Sequence, residues 1–449
     1  MKKCIITMLL SLVALGASAQ TILKSSYFVD GVMMRHKLNP AFMGESGYFA
    51  MPFLGGLDIN VKSNLSLDKI FYPLENGNLG LFLHPEVDRE LARSSFDENN
   101  LINQNLSMSI LSTGFYAFGG YNTIDFSVRE SLNVNLSGSL FDFLLGGEPD
   151  ATSVFQMGGN TVDLTVYTEL AVGHAHKIND NLTVGAKLKY LAGAGDAHVA
   201  IDRLSLTSRS DMLAIDAAAS GQMSALGLPL NGKPSEMELD FLDMSIPAGG
   251  GFAVDLGATY KLDNFDFSFA LNDLGSIGWN NASGVDMSAN VEFGGFPELD
   301  LKDFEGSTSG TVDDLEKELD TLVEPEFVPI NNYKTTICPT MNIAAEYSFF
   351  DNQLSAGLLS STYFSSNVVT DFMLAATYSP TNWFSFALTG TTTTLGATYW
   401  GWVMSLSPSW INFYIGSDSM FAKVTPQGIP LSTSNLNLSF GLSFPFGGN

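Results

Sequence analysis

The chain has 449 residues, with 21 Lys and Arg against 47 Asp and Glu, a formal net charge of −26. So acidic a polymer repels nucleic acid and anionic lipid surfaces, and no nucleic-acid partner is expected. Its 2 cysteines exclude a cysteine-ligated metal cluster.

Met1-Lys2-Lys3 is a short basic region, Cys4 to Leu15 is apolar, and Ala17-Ser18-Ala19 fits a small-residue cleavage site. Residues 1–19 are therefore read as a signal peptide, and the mature chain is expected to begin at Gln20. Only Cys338 then remains, which rules out an intrachain disulfide. No later stretch resembles a transmembrane helix, so a membrane protein here must cross with strands.

Residues 20–46 lack sustained alternation. Tyr27, Phe28, Val29, Val32, Met33 and Met34 make a run too oily for a free tail in water, and Arg35-His36-Lys37-Leu38-Asn39-Pro40-Ala41 follows. Buried cations need partners. The alternative is a flexible tail at the periplasmic side.

From Gly47 onward the pattern has a period of two. Ile124, Phe126, Val128, Leu132, Val134 and Leu136 alternate with Asp125, Ser127, Arg129, Ser131, Asn133, Asn135 and Ser137. Successive strand side chains point to opposite faces. One oily face and one polar face over this length exceeds the ~5–6 residues typical of a soluble strand. It fits a tilted strand crossing a bilayer, with lipid outside and a polar lumen inside. Val128→Arg is accordingly expected to cost more than Ser127→Arg. Glu130 falls on the oily face and is expected near the outer interface or at a bulge.

The alternation recurs over Gly47–Ser63, Gln104–Phe118, Tyr121–Ser137, Thr161–His176, Leu182–Gly193, Gly251–Leu262, Phe265–Gly278, Tyr333–Phe349, Leu354–Phe364, Val368–Tyr378, Trp383–Thr393, Leu395–Leu406, Trp410–Ser417 and Asn435–Phe446. The fold class is therefore all-β: a transmembrane antiparallel β-barrel of about fourteen strands over residues 47–449, with residues 20–46 as an N-terminal plug in the lumen. Pro52 and Pro339 fall inside strands, where proline deletes a ladder hydrogen bond, so bulges or kinks are expected there.

Short connections such as Gly119-Gly120, Asp263-Asn264 and Phe350–Gln353 fall on one parity. Asn64–Asn103, Gly138–Asn160, Ala194–Gly250, Trp279–Asn332 and Asp418–Ser434, the long ones, fall on the other. Outer-membrane barrels have short periplasmic turns and long external loops. Both termini are thus placed in the periplasm and the protein in the cell outer membrane. The acidic stretch Val285–Ile330 reads first as a solvated outer loop, and second as a cation or partner surface. Within it Thr311-Val312-Asp313-Asp314 resembles a helix N-cap, and Pro325 ends the short helix.

Asp125, Arg129, Asp163, Glu169, Lys187, Lys189, Asp255, Lys261, Asp266 and Glu346 fall on polar faces. Their mixed signs predict internal ion pairs holding a plugged lumen, against which Arg35-His36-Lys37 can dock. His174 and His176 share a strand face and could chelate a metal. That face also carries Leu170 and Val172, so it points to lipid, where an imidazole suits the interface. No G-x-S-x-G and no histidine beside a lumen serine is present. Neither an enzyme, a cofactor nor a metal is expected.

Asn39-Pro40-Ala41 just before the first strand, followed by fourteen strands, resembles the long-chain fatty-acid transporter type of outer-membrane barrel. Leu182–Leu191 and Phe252–Trp279 resemble more specifically an uncharacterised family of Bacteroidota outer-membrane barrels, distant relatives of those transporters. The resemblance implies that the N-terminal segment is a hatch, with Arg35, His36, Lys37, Asn39, Pro40 and Ala41 at its heart, and that a small hydrophobic ligand passes it. The chain departs from barrel habit at its end: Phe446 is followed by Gly447-Gly448-Asn449 where an aromatic terminus read by the barrel-assembly machinery is usual. The expected partners are outer-membrane lipid, that machinery and the ligand. The competing reading is a non-transporting barrel that anchors a surface or secretion complex.

An epitope inserted beside Gly306 is expected to be labelled on intact cells. Labelling that needs a disrupted outer membrane would overturn the topology.

Overall fold

The structure is a computed structural model. It describes residues 22–65, 67–145, 154–156, 158–209, 212–225, 247–280, 282–293, 326–364, 368–394, 398–419, 423–424, 430–431 and 435–447. The predicted signal peptide and the predicted loop helix before Pro325 lie outside those residues.

Fourteen antiparallel strands close on themselves. β1 is Gly47–Ala50 and Leu57–Ser63, β2 is Asn99–Ala117, β3 is Gly120–Ser137 and β4 is Asn160–Lys177. β5 is Leu182–Arg209, β6 is Gly249–Leu262, β7 is Phe265–Trp279, and β8 is Tyr333–Thr336 and Thr340–Phe349. β9 is Leu354–Phe364, β10 is Val368–Thr381, β11 is Phe384–Thr393, β12 is Thr398–Leu406, β13 is Asn412–Ser417 and β14 is Asn435–Phe446. Each pairs with the next, and β14 pairs back onto β1. Closure gives each of these fourteen strands a partner on both sides, which hydrocarbon demands.

The outer face is apolar and exposed, with Phe252 at 64 %, Leu358 at 62 % and Trp400 at 65 %. Such a belt would aggregate in water and is what a bilayer wets. The inner face is polar and buried: Ser107, Asp125, Ser127, Glu169, Asp255, Ser361 and Thr389 are all sequestered. The lumen is therefore filled. Ser127 is only 1 % exposed, so an arginine there meets packed neighbours, not an open pore, and overpacking joins its cost.

Both prolines break the ladder. In β1, Ala50 pairs with Ser443 and Leu57 with Phe440. Residues 51–56 therefore bow out of a wall that advances only three residues on the β14 side, and Met51, Phe53 and Leu54 are exposed there. Their backbone is re-satisfied, with Met51 N donating to Leu442 O at 2.9 Å and Leu442 N to Leu54 O at 2.9 Å. β8 is interrupted between Thr336 and Thr340, where the Pro339 carbonyl accepts from Phe364 N at 2.9 Å.

Strands on the long-loop side overrun the expected ends. β5 continues past Gly193 to Arg209 and pairs with Met212–Ala225. That strand pairs with Ser283–Phe293, and Glu326–Pro329 follows. The reason is a register shift opposite Val166 and Tyr167, which skips Ala194 and breaks the parity on which the sequence reading relied. Nearby, Leu67–Ile70, Arg89–Ser95 and Gly138–Leu145 are helices. Their segment buries Leu65, Ile70, Phe82, Val87 and Phe141 against Ile102, Leu132, Val134 and Leu136. The oily face of β3 thus meets two environments, the belt up to Val128 and this cap from Leu132. Glu130 sits at the boundary, accepting from Gln104 Nε2 at 2.7 Å.

Leu358→Arg, on the exposed belt, is expected to destabilise the bilayer-folded barrel by roughly 2–4 kcal/mol if it lies near the midplane. Equilibrium unfolding in liposomes measures this, and a loss below the error of the method would show that the belt is wrongly placed.

Candidate functional site

The N-terminal segment, residues 22–46, runs without strand structure. Lys24–Ser26 and Met33–Lys37 are single 3₁₀ turns. Of its residues, Leu23, Lys24, Ser25, Tyr27, Val29, Val32, Leu38 and Asn39 are at most 2 % exposed. Their partners come from strands all round the wall.

Lys24 is the deepest anchor. Its ammonium pairs with Asp371 of β10, lies 3.2 Å from the Tyr399 hydroxyl, and stands over the Tyr363 ring at 5.5 Å. Asp418, just past β13, accepts from Lys24 N at 2.9 Å, Ser25 N at 2.7 Å and Ser25 Oγ at 2.6 Å. One carboxylate therefore satisfies two successive backbone donors that have no secondary structure to serve them.

Further along, Tyr27 Oη meets Ser268 Oγ at 2.9 Å, and Phe28 lies on Gly357, where an added Cβ would be 2.6 Å from its ring. The Leu38 carbonyl accepts from Asn272 Nδ2 at 2.8 Å and from Asn342 Nδ2 at 3.0 Å. Asn39 Nδ2 donates to Phe269 O at 3.3 Å, and its Oδ1 accepts from Ala41 N at 2.9 Å. The Asn39-Pro40 turn fits only because the wall is glycine there. A Cβ on Gly185 would stand 2.2 Å from Pro40 O, and one on Gly257 2.1 Å from Asn39 Oδ1.

His36 closes a polar ring. Lys187 Nζ donates to its Nδ1 at 2.7 Å, and a lysine ammonium has only donors, so the imidazole proton is on Nε2. Nε2 lies 2.7 Å from Tyr48 Oη, Tyr48 Oη 2.8 Å from Ser112 Oγ, and Ser112 Oγ donates to Asp125 at 2.6 Å. Asp125 returns to Lys187 at 3.4 Å. Burial, then the adjacent Lys187 ammonium, pushes the His36 imidazole down to about 3, so the ring is neutral.

Behind this ring lies an ion-pair network of the wall. Arg129 meets Glu169 at 3.2 Å and Asp273 at 3.1 Å. Lys189 meets Asp255 at 2.7 Å and Asp273 at 2.6 Å. Asp273 has φ +60° and donates its N–H to Asp255 at 2.7 Å. It forms the extra residue of a bulge opposite Asp255.

The predicted residues divide accordingly. Asp125, Arg129, Glu169 and Asp255 are buried together, with Lys187 and Lys189. Asp163 is not with them: it is 43 % exposed and pairs with His198. Asp266 is 38 % exposed and pairs with Lys261 at 3.5 Å beside the Asp263-Asn264 turn. Glu346 accepts from Ser355 Oγ at 2.5 Å, away from the network. Of the basic patch, His36 lies 3.8 Å from the Asp125 carboxylate. Arg35 pairs with Asp30 of its own segment and stacks 4.6 Å from the Phe42 ring, while Lys37 donates to Ser109 Oγ at 2.6 Å. The cation that docks on a wall acid is Lys24, which the sequence reading did not single out. Its signal was a lone lysine before an oily run. Asp371 sits on a strand face shared with Met373 and Ala375, which hid it.

His174 and His176 lie exposed on the outer face. No group of three metal-ligating side chains occurs among the described residues.

Residues 40–418 match the model of a family described as a family of unknown function (DUF5723). No curated protein matches the chain. Among solved structures the chain is similar to the toluene transporter TodX of P. putida, with a TM-score of 0.43, 11 % identity, and 91 % of this chain and 92 % of that chain covered. It is also similar to a Pseudomonas aeruginosa FadL homologue, with a TM-score of 0.43, 12 % identity, and 97 % and 100 % covered.

Asp371→Asn removes one partner of a fully buried pair. Docking of the segment should weaken by about 3–5 kcal/mol. Hydrogen exchange should accelerate over residues 22–38 while the amides of β9–β11 stay protected. Unchanged exchange in the segment would mean that Lys24 is not its anchor.

Proposed function

The chain belongs to this family of unknown function, DUF5723, and from that premise we propose that it is an outer-membrane barrel whose N-terminal segment is a hatch gating the passage of a small hydrophobic ligand. The observation that carries the reading is the two-sided character of the contact between segment and wall. Its polar anchors are few and discrete: Lys24 on Asp371, Ser25 on Asp418, and His36 in the Lys187–Asp125 ring. Between them the contact is oily. Leu23, Val29, Val32 and Met34 pack on Tyr48, Val403 and Tyr414, and Ile22, Tyr27, Phe28 and Leu38 pack on Leu359, Met373 and Ala375.

Shifting such a segment exposes the apolar wall patches at Val403, Tyr414, Leu359 and Met373, which welcome an apolar solute. The wall charges around Arg129, Lys187 and Lys189 are mutually paired, which argues against a selective ion filter there. The short turns face the periplasm in this reading, and the acidic long loops face outward. A bilayer-inserted barrel would take outer-membrane lipid and the assembly machinery as its partners.

A second reading draws on the cap on β2 and β3, whose apolar cluster is built by the first long loop and the helix after β3. A folded outer platform suits a barrel that anchors a surface or secretion complex and passes nothing.

Deleting residues 21–35 distinguishes the two readings. The hatch predicts a heat-resistant barrel that leaks small apolar dyes from liposomes several times faster than the full chain. A folded barrel with unchanged leak would favour the platform. Loss of the folded barrel would make the segment part of the core and remove support for the gate.

A further inference from the structure

Where β3, β4, β5 and β6 lie side by side near the short-turn end, Asn122, His174 and Ala186 form one row of cross-strand neighbours. Val172, Leu188 and Val254 form the next row. These six side chains line a shallow groove of about 390 Å³ on the lipid-facing wall. Ala186 is its floor, an alanine beside the larger side chains of Val172, Leu188 and Val254.

The end of the groove toward the turn is polar, and it is built. His174 Nδ1 lies 3.0 Å from Asn122 Oδ1. The amide nitrogen of Asn122 is fixed by the Ala117 carbonyl at 2.8 Å, so its oxygen is the end facing the imidazole. His174 therefore donates from Nδ1 and keeps Nε2 for another partner. His176 stacks beside it, with ring centroids 5.8 Å apart and planes 27° from parallel. The two rings lie over the Gly119-Gly120 turn. A Cβ on Gly120 would be 2.7 Å from the His174 ring, and one on Gly119 would be 3.6 Å from the His176 ring.

We propose that this groove is a specific site for one glycerophospholipid, its phosphate on His174 and His176 and its acyl chain lying over Ala186. The occupant follows from where the groove opens. A surface inside the belt meets lipid, and the rows end within a few residues of the turn, at the depth of headgroups. A phosphate placed at Nε2 favours the imidazolium form of a ring whose Nδ1 already donates to Asn122, and the imidazolium gives a charge-assisted hydrogen bond to a phosphate oxygen. Asn122 is a positioning residue that fixes the ring of His174. Val172, Leu188 and Val254 flank the first methylenes of the chain. The site rests on the reading of the wall as bilayer-spanning, and on nothing assigned to the hatch.

The test uses the purified full chain in detergent, with dioleoyl phosphatidylethanolamine, dioleoylglycerol and inorganic phosphate as separate probes, read by native mass spectrometry. A gel-shift assay for the heat-modifiable barrel is run on every variant. One phospholipid should bind saturably to the wild type. His174→Gln with His176→Gln should weaken it about tenfold or more, the loss expected for charged hydrogen bonds. Ala186→Phe, which fills the floor and leaves both histidines, should weaken it comparably. Dioleoylglycerol should bind about as weakly as phospholipid does to the histidine variant.

Equal binding of phospholipid and diacylglycerol would overturn the site, as would indifference to Ala186→Phe in a folded barrel. Binding of inorganic phosphate as strong as that of the lipid would replace it with a plain anion site. Failure of the wild type to insert into liposomes would instead overturn the bilayer reading on which the site stands.

Discussion

The rule that no backbone N–H or C=O may face hydrocarbon unpaired governs this molecule. Fourteen strands obey it by closing, with β14 returned onto β1. The rule explains why two prolines inside strands do not ruin the wall. Where Pro52 removes a donor, residues 51–56 leave the ladder and Leu442 bonds across the gap to Met51 and Leu54. Each irregularity is thereby converted from an orphaned polar group into a local change of shape.

Closure creates the second constraint, since a closed barrel has an inside that must be filled or hydrated. Here it is filled. The wall sets Arg129, Lys187 and Lys189 among Asp125, Glu169, Asp255 and Asp273, so that each charge has an opposite neighbour in a low-dielectric interior. The N-terminal segment occupies the remaining space with a mixture of apolar surface and isolated polar anchors. A contact of that composition joins the segment to the wall at a few discrete polar points.

Legibility in the sequence followed the constraint. Wherever a strand is buried in polar lumen on one side and bathed in lipid on the other, parity was explicit, as from Ile124 to Val128, and the whole ring of strands could be read. Where the ladder slips, parity lies. The shift at Ala194 concealed the extension of β5 to Arg209, and the bulge at Asp273 hid a central member of the ion-pair network. Asp163 has the correct parity but lies too far toward the long-loop end to be covered. The oiliness of residues 27–34 signalled burial, yet which cation would find which acid was a question of three-dimensional path. Arg35 turned back onto Asp30, whereas Lys24 reached Asp371. The wall glycines at 185 and 257 were visible as letters, but their meaning depended on Asn39 and Pro40 arriving opposite them.

The bond from Lys24 N to Asp418 spans 394 positions of sequence. Contacts of such high order form late, because a loop of that length must close first. The beginning of the described chain is thus the first part to need its partner and the last to find one. Until β13 is in place, the oily run from Tyr27 to Met34 lacks the Val403 and Tyr414 surface that shelters it, and for that interval its apolar side chains stay exposed.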